Sequence, residues 1–214
     1  MRLLVLANSR KYNGRCIAGI DLDSGSWVRP VSDSEHGEFG ADECSIVVQG
    51  VRRQVRFLDV IDVKVTSVSQ GIGHPEDVRT DHAGWRHIQS FSVIEFERII
   101  ESHLDDAAEL LFNCDASVSL GDAQAGRVEK SLCIIRVVDA VFNLTWRGHL
   151  RVGFTHQGQQ YDLPVTDEGE WVRAAKNGPE QMSAGPWYFT ISLGEPFKGR
   201  MWKLIAGGLL SDGA

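Results

Sequence analysis

Asn8, Ser9, Arg10, Lys11, Arg15, Trp27 and Arg29 combine cations, small hydrogen-bonding side chains and one indole within a short stretch of chain. Phosphates are held by cations and donors on strand ends and loops. Unstacked bases lie on aromatic rings or guanidinium planes. The set is therefore the candidate contact surface for an anionic, flat-ringed partner, and nucleic acid is the first choice. The plainer alternative puts Trp27 in a core and leaves the cations as solvated decoration.

Short strands must position these residues. The apolar run Leu3–Leu6 breaks at Asn8-Ser9-Arg10-Lys11, and a turn follows at Asn13-Gly14. A second run, Cys16–Leu22, passes through Asp23-Ser24-Gly25 into Ser26–Val31. This reads as an antiparallel meander. Ile46–Val48 and the alternating FLDVIDVKVTSV of Phe57–Val68 complete a first set of about five strands. Leu132–Thr145, Arg147–His156, Gln160–Val165, Trp187–Leu193 and Met201–Ala206 form a second set, with hairpin turns at Trp146-Arg147-Gly148 and Gln157-Gly158-Gln159. About five strands suit a small closed barrel of the OB type.

The middle of the chain differs. Ser92 followed by Glu95 is a capping-box signature, and Ile94, Phe96 and Ile99 continue it as a short helix. Asp105–Phe112 reads as a second helix, and Asn113–Gly126 as a loop. Asp167–Lys176 reads as a third helix, with acids at its start and Gly178-Pro179 at its end.

Other clusters have the same two readings. Arg52-Arg53-Gln54-Val55-Arg56 could clamp phosphates but fits a charged edge strand slightly better. His74, Asp81, His82 and His87 around Trp85 match no zinc spacing, so no metal site is assigned. The stretch Ser192–Phe197 has Gly194 and Pro196 for a fixed turn, with Lys198, Arg200 and Lys203 around Trp202. A buried Trp202 in a plain hairpin is the simpler expectation there. No P-loop, GxSxG, HExxH or Cys–His signature occurs, so neither a catalytic residue nor a cofactor is assigned and a non-enzymatic role is favoured.

The net charge of −7 over 214 residues argues against indiscriminate nucleic-acid binding. The acidity is local, however. Residues 57–145 hold fifteen Asp/Glu against seven Lys/Arg, whereas residues 1–56 hold seven against eight. A cationic face near the start is compatible with an acidic whole. Cys16, Cys44, Cys114 and Cys133 are scattered and read as thiols, which makes a cytoplasmic location the default. No apolar run approaches a membrane span, and MRLLVLANSR reads as a first strand rather than a signal peptide.

The pieces LANSRKYNGRCIAG, GSWVRPVS, GRVEKSLCII, FTHQGQQYDLPVTD and SLGEPFKGRMWKLIAG follow one another along nearly the whole chain. In this order they resemble the bacterial dual-OB domain family. The resemblance implies two OB-like barrels in one polypeptide and a nucleic-acid-binding or ligand-binding module, with no established reaction. Glu168 departs from the pattern, which leads one to expect proline there.

The expected fold is mostly β: two small OB-like β-barrels with short connecting helices. The first barrel is expected over 1–90, a helical connector over 91–130 and the second barrel over 131–214. The expected partner is single-stranded or structured nucleic acid. Arg10, Lys11, Arg15 and Arg29 would meet phosphates, Asn8 and Ser9 would donate hydrogen bonds, and Trp27 would stack or support the loop. The alternatives are a small nucleotide ligand, or a protein partner docking on an exposed patch around Trp187-Tyr188-Phe189.

Overall fold

The apolar run at the start of the chain is continuous rather than alternating because its strand is buried on both faces. In the computed structural model, which describes residues 1–69, 71–81 and 84–211, Leu3 to Ala7 are all buried. They lie in β1 (Arg2–Lys11). Leu3 and Val5 point into one core with Ile17, Phe39, Ile46, Ile61 and Trp85. Leu4 and Leu6 point the other way, into a cluster with Phe96, Ile134 and Tyr188.

The first β-rich half continues with β2 (Gly14–Asp21), β3 (Trp27–Val31), β4 (Ser45–Val48), β5 (Val51–Gln54), β6 (Asp59–Asp62), β7 (Val65–Val68), β8 (Asp77–Thr80) and β9 (Arg86–Ser90). One curled sheet runs β7-β8-β3-β2-β1-β6-β9, and β4 pairs with β5 beside it. The expected single strand over Phe57–Val68 is therefore two. β6 pairs with β1 and β9, whereas β7 pairs with β8 and is exposed along its length.

Helix α1 (Val93–Ile100) starts where the sequence places it. Ser92 and Glu95 form the reciprocal capping box, and Phe96 and Ile100 are buried. The helix expected over Asp105–Phe112 does not form, because tertiary partners take its backbone groups. Asp105 N–H donates to the Ile134 carbonyl at 2.8 Å, and the Tyr161 hydroxyl donates to the Ala108 carbonyl at 2.7 Å. Inside the expected loop, a short strand β10 (Ser117–Ser119) and helix α2 (Leu120–Gln124) form instead.

The second half comprises β11 (Leu132–Val137), β12 (Val141–Leu144), β13 (Leu150–His156), β14 (Gln159–Pro164), α3 (Glu170–Asn177), β15 (Trp187–Phe197) and β16 (Arg200–Leu210). Its sheets run β10-β16-β15-β11 and β12-β13-β14. They enclose a core that includes Val152, Phe154, Leu163, Trp187, Phe189 and Met201. Trp187, Tyr188 and Phe189 are all buried, so the exposed patch expected there as a protein-docking mark is absent. The Gly194–Pro196 turn is likewise a correction. Those residues sit within β15 at a register shift, and the reversal is at Lys198-Gly199, both with positive φ.

The chain is thus mostly β, with two small barrel-like bodies and few short helices. Leu4, Leu6, Ile20, Ile134 and Tyr188, with Ala7, Ala18, Leu132 and Ala206, fill the seam between the bodies. Small residues set how closely the strands cross. A Cβ on Gly207 would lie 2.2 Å from the Leu6 carbonyl oxygen. Since that neighbour is backbone, Gly207→Ala is expected to cost about 1–3 kcal/mol by forcing the seam apart. An unchanged urea midpoint would contradict this close crossing.

Candidate nucleic-acid interface

The hairpin of β1 and β2 projects its cations toward the second body, where carboxylates receive them. Arg10 N–H donates to the Thr166 carbonyl at 2.8 Å, which joins the end of β1 to the segment before α3. The Arg10 guanidinium lies 3.2 Å from Glu168, and Arg15 pairs with the same carboxylate. Lys11 Nζ lies 2.7 Å from Glu195 on β15. Glu168, the position that departs from the expected pattern, is therefore a clamp between two arginines of the other body.

Asn8 donates from Nδ2 to the Val55 carbonyl at 2.7 Å and is half-buried. Ser9 is buried and bridges to Asp167. The Asn8 amide is therefore already engaged, and Ser9 is held by its backbone away from open solvent. Trp27 is half-buried and packs against both apolar clusters of the seam, which makes it a supporting residue.

Arg29 is a clear departure from expectation. It is buried, with Nε 2.6 Å from Asp77 Oδ1 and Nη2 donating to Ser131 Oγ at 3.1 Å. Glu76 completes the junction by accepting from Ser131 N–H at 2.6 Å and Leu132 N–H at 3.2 Å. Burial works against the guanidinium charge, but the Asp77 carboxylate outweighs it and raises the Arg29 pKa. Arg29 joins the two halves rather than facing solvent phosphate.

Two adjoining cavities, about 670 and 910 Å³, open between the bodies and share Arg15, Asp167, Glu168, Gly169 and Arg173 in their walls. The first is also bordered by Arg10, Tyr12 and Lys176, the second by Arg56 and Trp171. Arg56, Arg173 and Lys176 are exposed and make no ion pair among the described residues. Arg173 and Lys176 are three apart on α3 and share a face. That spacing is legible in the sequence, whereas its position across from Arg10 and Arg15 is not. Tyr12, at the hairpin tip, stacks on His36 with ring centroids 4.0 Å apart. The cleft thus gathers Arg10, Arg15, Arg173 and Lys176 with one exposed ring. Lys11 and Arg29 border a separate cavity of about 180 Å³ next to it.

Asp167 sits at the floor of the cleft, where it accepts from Gly169 N–H at 3.0 Å and from the Trp171 indole. Burial pushes its carboxyl up to about 6, although those hydrogen bonds oppose the shift. The folded state therefore holds a proton that the unfolded state has already released. Stability from this group is complete below about 4 and is lost as pH rises through about 6. Asp167→Asn is expected to remove that component. Urea midpoints of both proteins between pH 4.5 and 7.5 would show it, and parallel curves would contradict it.

The remaining clusters resolve into scaffold. Arg53, on the edge hairpin of β4 and β5, pairs in two-pronged fashion with Asp59 at the start of β6, at 2.6 and 2.8 Å. Trp85 is a core residue against Phe39, and Asp81 pairs with Lys64 at 2.9 Å. His87 lies 3.7 Å from Asp59, and His74 is buried with Nε2 3.8 Å from Glu195. His82 lies outside the described residues. Lys203, expected among the surface cations, is fully buried and donates to the Asn113 and Asp115 carbonyls, both at 2.6 Å. The four cysteines are unpaired, and no helix among the described residues is long and apolar enough to cross a membrane.

Comparison with curated proteins and with solved structures finds no match. The dual OB-containing domain model matches residues 1–207, spanning both β-rich halves and the seam between them, and the chain belongs to that family.

Proposed function

We propose that this protein binds nucleic acid in the cleft between its two OB-like bodies. The observation that carries the reading is the convergence of Arg10, Arg15, Arg173 and Lys176, from both bodies, on one cleft of a chain whose net charge is −7. Phosphates meet these four cations along the cleft walls, and Tyr12 offers a ring at the rim. Trp27 and Arg29 hold the seam in place and make no contact with the ligand.

Glu168 competes with the incoming phosphates for Arg10 and Arg15. Glu168→Gln is therefore expected to tighten binding roughly 2- to 30-fold, since each partly exposed pair is worth about 0.2–1 kcal/mol. Fluorescence anisotropy of a labelled single strand at ~0.05 M salt tests both statements. Binding by the wild type with tighter binding by the variant supports the reading. No binding by either protein would overturn it.

A further inference from the structure

The β15–β16 hairpin presents aromatic rings to solvent where a small barrel would ordinarily bury them. Phe197 is 61% exposed and Trp202 is 41% exposed, against 1% for Trp187 on the same β15 strand. The two rings line one cavity of about 400 Å³ with Leu204, Pro164, Arg151 and Glu195. Cations surround them. Lys198 Nζ lies 5.3 Å from the Phe197 ring centroid, and Arg200 is exposed while donating from Nε to Ser117 Oγ at 2.6 Å.

This cavity adjoins the cleft region. It shares Pro164 with the cavity that holds Arg10 and Lys176, and it shares Gly194, Glu195 and Leu204 with the small cavity beneath Lys11. An apolar ring by itself could take many partners. Two exposed rings flanked by Lys198 and Arg200, and next to a cationic cleft, match alternating bases and phosphates.

From this juxtaposition we infer that Trp202 and Phe197 form a base-stacking subsite for a single-stranded nucleic acid whose backbone enters from the inter-barrel cleft. The inference rests on the proposed cleft function. It narrows the ligand to single strands, because a paired and stacked base cannot lay its face on Trp202. Backbone cations alone tolerate duplex equally well.

The test compares wild type, Trp202→Leu, Trp202→Phe, Phe197→Ala and Arg173→Ala/Lys176→Ala. The probes are labelled dT strands of increasing length and one duplex of the same length, with thermal melts to check folding. Trp202→Leu is expected to weaken binding of the longer strands roughly 5- to 150-fold, the range for losing one base–aromatic stack. Trp202→Phe keeps a ring and should restore most of that loss, and Phe197→Ala should weaken the same strands. The shortest strands and the duplex should be insensitive to Trp202. If the Arg173→Ala/Lys176→Ala protein binds more weakly while Trp202→Leu and Phe197→Ala change nothing, the stacking subsite is overturned and the cleft reading stands. If wild type binds no strand, both fall. Should Trp202→Leu leave binding unchanged but convert a sedimenting dimer to monomer, the face belongs to a second copy of the chain and the inference is wrong.

Discussion

Arg29→Met is expected to cost the fold about 3–5 kcal/mol, a large share of the stability of a domain this size. The guanidinium is buried, and its Nε lies 2.6 Å from an Asp77 carboxylate that is itself only 8% exposed. Removing one member of such a pair leaves the other charge in a low-dielectric setting with no partner, and the Ser131 hydroxyl loses its Arg29 donor as well. The double variant Arg29→Met/Asp77→Leu should recover much of the loss, because replacing both members with apolar side chains removes the stranded charge. Urea denaturation of the two variants measures this. A single-variant cost under about 1 kcal/mol would mean that Arg29 is a surface cation after all. Salt titrations of the same variants separate structure from binding, since Arg29 sits in the seam and its loss should lower stability without changing how binding responds to salt.

The second large effect concerns the ligand. A cleft that places four cations against phosphates should release about four counterion equivalents' worth of charge. For single strands the logarithmic salt slope is about −0.7 per phosphate, so wild-type affinity should fall about 50-fold between 0.05 and 0.2 M salt. Replacing Arg10, Arg15, Arg173 and Lys176 together by alanine should remove most of that dependence along with most of the affinity. Equilibrium titrations at several salt concentrations measure it. A wild-type affinity that barely responds to salt would point to a ligand that is not a polyanion.

Local signals were readable where the residues that decide them are near one another. The Ser92–Glu95 capping box lies within one turn, and α1 begins there. The unbroken Leu3–Leu6 run announced a strand, although burial on both faces became visible only with the second body against it. Partners far along the chain were not readable. Glu168 meets Arg10 and Arg15 more than 150 residues away, and Asp77 meets Arg29 at a separation of 48. The sequence therefore shows the cations but not their counterions, and the seam position of Arg29 depends on Asp77.

Aromatic burial depended on strand parity, which composition does not reveal. On β16 Met201 is buried while Trp202 faces out, because alternate residues leave opposite sides of a strand, whereas Trp187 lies in a stretch of β15 that is buried on both sides. The same rule buries Lys203 next to exposed Trp202. Leu104, Ala107, Ala108 and Leu111 on one side made Asp105–Phe112 look like a helix, but Leu111 enters the second core from an irregular segment at positive φ. Arg173 and Lys176 were missed for a different reason. Their helix is expected from the sequence, but nothing local shows that its exposed side faces the β1–β2 hairpin across the cleft.

The most direct test of the cleft is the change in salt slope when its two unpaired helix cations are removed. Wild type and Arg173→Ala/Lys176→Ala should be titrated with one labelled single strand over the same salt series, with matched thermal melts. Two lost phosphate contacts should make the logarithmic slope shallower by about 1.4. Equal slopes in two equally folded proteins would contradict the assignment of the inter-barrel cleft as the phosphate-binding surface.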